Sequence, residues 1–270
     1  MNRALLPLAA LLLGACVALA ALSAARAGLY DVARLARAVP ARTAIMLERE
    51  AAAARAGRPW RMRHTWVPYD RISPLLRRAV LTAEDDAFYQ HGGLDWSELR
   101  AAARRDLEER RVVRGGSTIT QQLAKNLFLG DGRTVTRKLT EVFLALRMER
   151  TLSKRRIFEL YLNLIEWGDG VFGAEAAARR YFGVSAADLS PRQALLLAAV
   201  IINPHRYSVL DPPRRIERRV RMIASRMRRR GALDQAQYDQ ALGLPPPAPP
   251  DSGATAGDSL GAPLSPPATP

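Results

Sequence analysis

Apolar positions recur at intervals of three and four along most of this chain, the period of a helix with one face against a core. Leu76, Val80 and Ala83 follow Ser73-Pro74, a capping serine with proline at the first helical position, and predict a helix at the entry to the folded part. The same period predicts helices over 97–111, 118–129, 134–152, 155–166, 173–182, 191–202, 213–230 and 234–242. Val/Ile/Thr alternation at period two, the mark of a half-buried strand, is almost missing. The expectation is a single all-α domain over residues 66–244, with no internal repeat.

Both ends depart from that period. After Arg3 an uncharged segment of 22 residues runs from Ala4 to Ala25 and is closed by Arg26. As a helix it spans about 33 Å, enough to cross a bilayer core, although Pro7 and Gly14 weaken it slightly. Residues 1–27 therefore read first as a retained signal anchor, a transmembrane helix too long for a signal-peptide core. Two alternatives stay open. The small residues from Ser23 to Ala27 would suit a cleaved signal peptide. Leu13-Gly14-Ala15-Cys16 looks like a lipidation site, yet the residues after Cys16 stay apolar where lipoproteins turn polar. All three export the rest of the chain. The charge rule gives no orientation, because Arg26, Arg34 and Arg37 outnumber Arg3. Residues 28–65 read as an Ala- and Arg-rich, mainly helical membrane-proximal stalk, and residues 245–270 as a disordered Pro/Ala-rich tail.

Charge narrows the partners. A net charge of +15 and a pI near 11.0 point to a polyanion: nucleic acid, an anionic membrane surface or a phosphorylated substrate. Of 41 lysines and arginines only Lys125, Lys138 and Lys154 are lysine, which leaves 38 arginines. Against such a bias, of the kind a GC-rich genome produces, a retained lysine marks a place that needs a compact ammonium. The lone Cys16 rules out an intramolecular disulfide, and the widely spaced His64, His91 and His205 argue against a histidine metal cluster.

Three segments carry candidate chemistry. In Thr82-Ala83-Glu84-Asp85-Asp86-Ala87-Phe88-Tyr89-Gln90-His91-Gly92-Gly93, Glu84 continues the apolar stripe of Leu76 and Val80. A carboxylate at the edge of an apolar face loses solvation and suits general-base work; the bland alternative is an exposed acidic helix end. In Gly115-Gly116-Ser117-Thr118-Ile119-Thr120-Gln121-Gln122-Leu123-Ala124-Lys125-Asn126, two glycines precede a capped helix start, a ready anion site. Gln122, Lys125 and Asn126 share a face there; an ordinary capped amphipathic helix would read the same way. In Arg137-Lys138-Leu139-Thr140-Glu141, one helical turn joins two cations to an acid. The pattern fits an intrahelical salt bridge or a cationic clamp for phosphate equally well.

Taken together these segments resemble the signature motifs of the family 51 glycosyltransferases, the peptidoglycan polymerases, and most nearly their monofunctional transglycosylase type. The likeness runs from about Trp66 to Pro204. It includes Ile72-Ser73-Pro74, Leu152-Ser153-Lys154, Glu159-Leu160-Tyr161-Leu162-Asn163, Gly168, Gly170, Gly173, Tyr181-Phe182-Gly183 and Asn203-Pro204, with Glu84 and Glu141 57 residues apart. Arg156 and Gln193 stand where relatives often carry acids, at positions expected to be peripheral.

The resemblance implies a lysozyme-like, two-lobed all-α domain that polymerises lipid II and releases undecaprenyl pyrophosphate. It implies Glu84 as general base on the acceptor 4-hydroxyl, and Glu141 with Arg137, Lys138 and Lys125 at the donor pyrophosphate. Ser117, Thr118, Gln121, Gln122, Asn126 and Tyr161 would line the cleft, with Asp85, Phe88 and His91 supporting the Glu84 loop. No cofactor is required and no metal ligands are assigned, although a divalent cation (Mg2+ or Mn2+) is compatible with the reaction. The implied partners are lipid II, the growing glycan, the cytoplasmic (inner) membrane with the catalytic part on its periplasmic side, and cell-wall synthesis or division proteins. Residues 112–134, with Gly115, Gly116, Gly130 and Gly132, are expected to be mobile in the empty enzyme. Arg214 to Arg230 holds nine arginines against Glu217 and reads either as a face for anionic lipid or wall polymer or as a solvated helix.

Rival classes fit less well. A hydrolase of the same polymer needs an acid but not a cluster of cations for pyrophosphate. A nucleic-acid-binding protein is disfavoured by the N-terminal anchor, the 6% aromatic content and the lack of a recognisable module. An inactive scaffold does not need both Glu84 and Glu141. No Ser-x-x-Lys with a later Lys-Thr-Gly occurs, so cross-linking is expected from another protein.

Overall fold

The computed structural model describes residues 5–109 and 116–245. Its helices are α1 (Leu5–Gly28), α2 (Ala44–Arg55), α3 (Pro74–Glu84), α4 (Trp96–Glu109), α5 (Ile119–Ala124) and α6 (Val135–Thr151). They continue with α7 (Lys154–Leu164), α8 (Ala174–Phe182), α9 (Pro191–Val200), α10 (Arg214–Arg229) and α11 (Gln235–Leu242). The all-α expectation holds, and the starts of most helices follow the capping residues. Ser190 and Gln193 close a capping box on α9, Asp234 and Gln237 one on α11, and Ser153 caps α7 through the Arg156 N–H.

Within the folded domain α9 is the hub. Every residue from Ala194 to Val200 is buried, and α3, α10 and α11 pack around it. A second group sets α5 against α6 and α7. Phe88, Phe158 and Tyr161 are fully buried between the two groups, so the loop after α3 is bolted to α7 by aromatic packing.

A three-stranded sheet was not foreseen. β1 (Arg63–His64) pairs in parallel with β3 (Val171–Phe172), which pairs antiparallel with β2 (Glu166–Gly168). Strands of two or three residues are too short to show alternation. They depend instead on close backbone approach: a Cβ on Gly173 (φ +84°) would lie 2.5 Å from the Asn163 carbonyl oxygen.

Residues 28–65 are only partly helical, because Pro40, Gly57 and Pro59 interrupt the alanine-rich run. Val32, Leu35, Ile45, Met46 and Ala53 are buried in the core, so this stretch lies against the domain rather than standing off from it. Arg156, expected to be peripheral, ties it down by donating to the Leu35 and Ala38 carbonyls.

Along α1, Leu11, Leu12, Leu13, Val17 and Leu22 are exposed, whereas Ser23 and Ala27 are buried. Arg147 of α6 donates to the carbonyls of Ala27, Gly28 and Tyr30, which satisfies the C-terminal end of α1. Within α1, Ala10–Gly28 is long and apolar enough to cross a membrane, and Cys16 lies exposed on it. The expected tail from residue 246 onward, and residues 112–115 of the segment expected to be mobile, lie outside the described residues.

Candidate active site

Glu84 is the last residue of α3, where the helix's apolar stripe meets a cleft, and its side chain is only 11% exposed. Oε2 accepts a hydrogen bond from Gln122 Nε2 (3.1 Å), while Oε1 meets Arg219 Nη2 at 2.5 Å. Burial pushes the carboxyl above the ordinary glutamate range, against the opposing pull of Arg219 and Gln122. Gln122 is itself oriented, because its Oε1 accepts from the Tyr161 hydroxyl at 2.9 Å. Burial, reinforced by the Glu84 carboxylate, raises the Tyr161 phenol far above its usual range, so Tyr161 remains a donor.

Asp85 faces the other way and organises backbone. One of its oxygens meets His91 Nε2 (2.9 Å) and the other accepts the Ile119 N–H (2.9 Å) at the start of α5. Phe88 packs beneath, with the Lys154 ammonium 4.2 Å from its ring centroid and paired to Glu149. Lys154, the third retained lysine, is therefore spent on support.

Thr118 and Gln121 form a capping box on α5, and the Thr118 hydroxyl also donates to the Gly93 carbonyl. Here one expectation is corrected. Gln121 is buried and turned to the Thr118 N–H, so it caps the helix instead of lining the cleft. After α5 the chain loosens into a π-helical turn, Lys125–Leu129, ended by Gly130 at φ +74°. Such turns re-aim side chains at functional sites. Lys125 pairs with Asp131 (3.2 Å), and Asp131 is also held by Arg49 (2.5 Å).

At the start of α6, Thr134 caps the helix, and Arg137 and Lys138 take opposite oxygens of the buried Glu141. Lys138 also donates to the Ser117 hydroxyl at 3.0 Å. The intrahelical pairing that the sequence allowed is present, with one difference from the implied set. Glu141 holds Arg137 and Lys138, while Lys125 is held by Asp131.

Two adjoining cavities share this framework. The first, about 360 Å³, is lined by Thr82, Glu84, Asp86, Ser117, Thr118 and Arg226 among others. The second, about 440 Å³, is lined by Arg49, Gln122, Lys125, Asn126, Arg133, Arg137 and Tyr161, with Asn203 and His205 across from them. Each falls in the size range of small-ligand pockets. Gln122 lines the cation-rich cavity while bonding Glu84 of the acid-rich one, so it joins the two. Buried polar atoms without partners among the described residues cluster here: Thr82 Oγ1, Arg137 Nε and Arg219 Nε, with Trp167 Nε1 the fourth.

Sequence reasoning missed Arg219, Arg49, Arg133, Asp131 and His205. For Arg219 a signal existed: it sits on the buried stripe of α10 between Ile216 and Ile223, where an unpaired cation would be costly. The arginine-rich helix thus packs Arg219 against the site, lines the first cavity with Arg226, and leaves Arg214, Arg215, Arg218, Arg221 and Arg229 exposed. Among the described residues one group, Glu166, Asp169 and His205, gathers ligand-type atoms within 4.8 Å. Its Glu166 Oε2 is already engaged by Arg49 Nε and His205 Nε2, which makes it an ion-pair network.

A family model described as Transglycosylase matches residues 50–228. The chain is 49% identical over 188 residues to the biosynthetic peptidoglycan transglycosylase of Laribacter hongkongensis, covering 70% of this chain and 82% of that relative. It is 52% identical over 166 residues to the protein of the same name from Aromatoleum aromaticum (62% and 72% covered). With that of Alcanivorax borkumensis it shares 48% identity over 193 residues (72% and 77% covered).

Proposed function

This chain belongs to the transglycosylase family and is a peptidoglycan glycosyltransferase, and on that premise we propose that it polymerises lipid II into β-1,4-linked glycan strands. In this reading the Glu84 carboxylate takes the proton of the acceptor 4-hydroxyl as that oxygen attacks the anomeric carbon of the donor. The bond from that carbon to the pyrophosphate breaks, its electron pair leaves with undecaprenyl pyrophosphate, and the α-linkage becomes β. A base so placed contributes about 10²–10⁴-fold. Arg137, Lys138 and Lys125 meet the charge that grows on the leaving group, and Glu141 keeps Arg137 and Lys138 set beforehand. Ser117, Thr118, Gln122, Asn126 and Tyr161 position sugars and phosphates around them.

The observation that carries this reading is the link from Glu84 through Gln122 to Tyr161, which joins a buried base to a cavity walled by cations. A glycan hydrolase would need the base or acid but has no use for that wall. The step uses no cofactor; a divalent cation, if bound, would act as a further counter-ion to the pyrophosphate. α1 would hold the domain at the inner membrane with the site on the extracytoplasmic side, where a lipid-linked substrate is presented. Incubating the detergent-solubilised protein with labelled lipid II tests the reading. A polymer that muramidase digests is expected; unchanged lipid II, or cleavage of added glycan instead, would refute it.

A further inference from the structure

The proton acceptor assigned above is held by a residue outside all three motifs. We propose that Arg219 is a positioning residue: from α10 it clamps the Glu84 carboxylate against α3 and aims its free lone pairs into the cleft. The proposal rests on Glu84 acting as the base. One guanidinium nitrogen, Nη2, donates both to Glu84 Oε1 (2.5 Å) and to the Ala83 carbonyl (3.0 Å), so carboxylate and backbone are fixed by the same group. The other oxygen is held by Gln122 of α5, whose amide is in turn set by Tyr161 of α7. Three helices thus fix one carboxylate.

Burial of Arg219 has no other explanation in the fold. Its side chain is 19% exposed on an otherwise apolar stripe, and its Nε is buried without a partner among the described residues. A cation kept there at such a cost needs a paired anion, and Glu84 is that anion. Nearby, Arg226 lines the acid-rich cavity, while Asp85 and Asp86 adjoin Glu84 on its own chain. Asp95 and Glu98 face it from the stretch that begins α4, and Tyr161 is the phenol beneath it. Among these, Arg219 opposes the effect of burial on Glu84 most strongly.

The test compares kcat and KM for lipid II across pH in full-length wild type, Arg219→Gln, Arg219→Lys and Glu84→Gln. Arg219→Gln should lose about 10²-fold in kcat at the optimum with KM little changed. Loss of the cation leaves the Glu84 proton harder to remove, so the acid limb of its profile should move to higher pH. Arg219→Lys should recover part of the rate and return the limb toward wild type. Should Arg219→Gln not fold, Arg219→Lys decides alone. Its shorter side chain cannot bring an ammonium to the place of Nη2, between Glu84 Oε1 and the Ala83 carbonyl, so kcat should fall at constant KM. A folded Arg219→Gln with the wild-type acid limb, or an Arg219→Lys with wild-type kinetics, overturns the proposal. Wild-type polymerisation by Glu84→Gln would instead remove the base assignment on which it stands.

Discussion

Glu84 is nearly buried and bonded at both carboxylate oxygens, and the two properties pull its proton in opposite directions. Burial wins, so the proton leaves only at a pH above the ordinary glutamate range. A base must be ionised to work; as pH falls through that raised value, activity should disappear earlier than a solvated glutamate would dictate. Measured kcat/KM against pH should show this acid limb, and a limb at or below the ordinary range would contradict it. Tyr161 gives a second test. Tyr161→Phe leaves the ring in place but strips Gln122 Oε1 of its donor, which should cost about 1–3 kcal/mol in denaturant unfolding. Polymerisation should slow by about 10- to 10²-fold as the amide loses its orientation. Full activity in a destabilised Tyr161→Phe would show that the link is merely structural. At this scale the sequence was legible wherever a side chain meets partners within a few turns, as Arg137 and Lys138 meet Glu141. It was silent on Arg219 and Glu84, 135 residues apart, because only the packing of α10 on α3 brings them together.

At the scale of elements, the helices were legible because capping residues and apolar stripes are local. The sheet was not, since its strands are only two or three residues long and β1 meets β3 across more than a hundred residues. Glycine marks where that pairing is tight. Gly173→Ala would force a side chain into left-handed backbone and against the Asn163 carbonyl, and should cost about 1–3 kcal/mol or more by thermal or urea unfolding. A melting temperature equal to wild type would show that the junction yields. The stretch from residue 116 to 134 is less uniform than glycine content implied. The box at Thr118 and the buried face of Ile119, Thr120 and Leu123 pin α5, and Glu48 of α2 accepts the Asp131 N–H beyond it. That packing ties the chain to the core on both sides of the π-helical turn.

Across the whole molecule, charge is sorted by place. The net +15 suggested a polyanion without saying which; the structure gathers Lys125, Arg133, Arg137 and Arg49 in one cavity, with Asp131 and Glu166 paired among them, and leaves mainly acids with Arg226 around the neighbouring one. That division matches a reaction that takes a proton at one end of a bond and releases a phosphate at the other. The exposed leucines of α1 lie at the end of the molecule that leads away from Arg147 and the packed domain, as a membrane tether would require. The most direct test of this account is the polymerisation rate of Glu84→Gln on labelled lipid II, with substrate binding measured on the same preparation. Binding should persist while the rate falls by about 10²–10⁴-fold. A variant that binds and polymerises at the wild-type rate would contradict it.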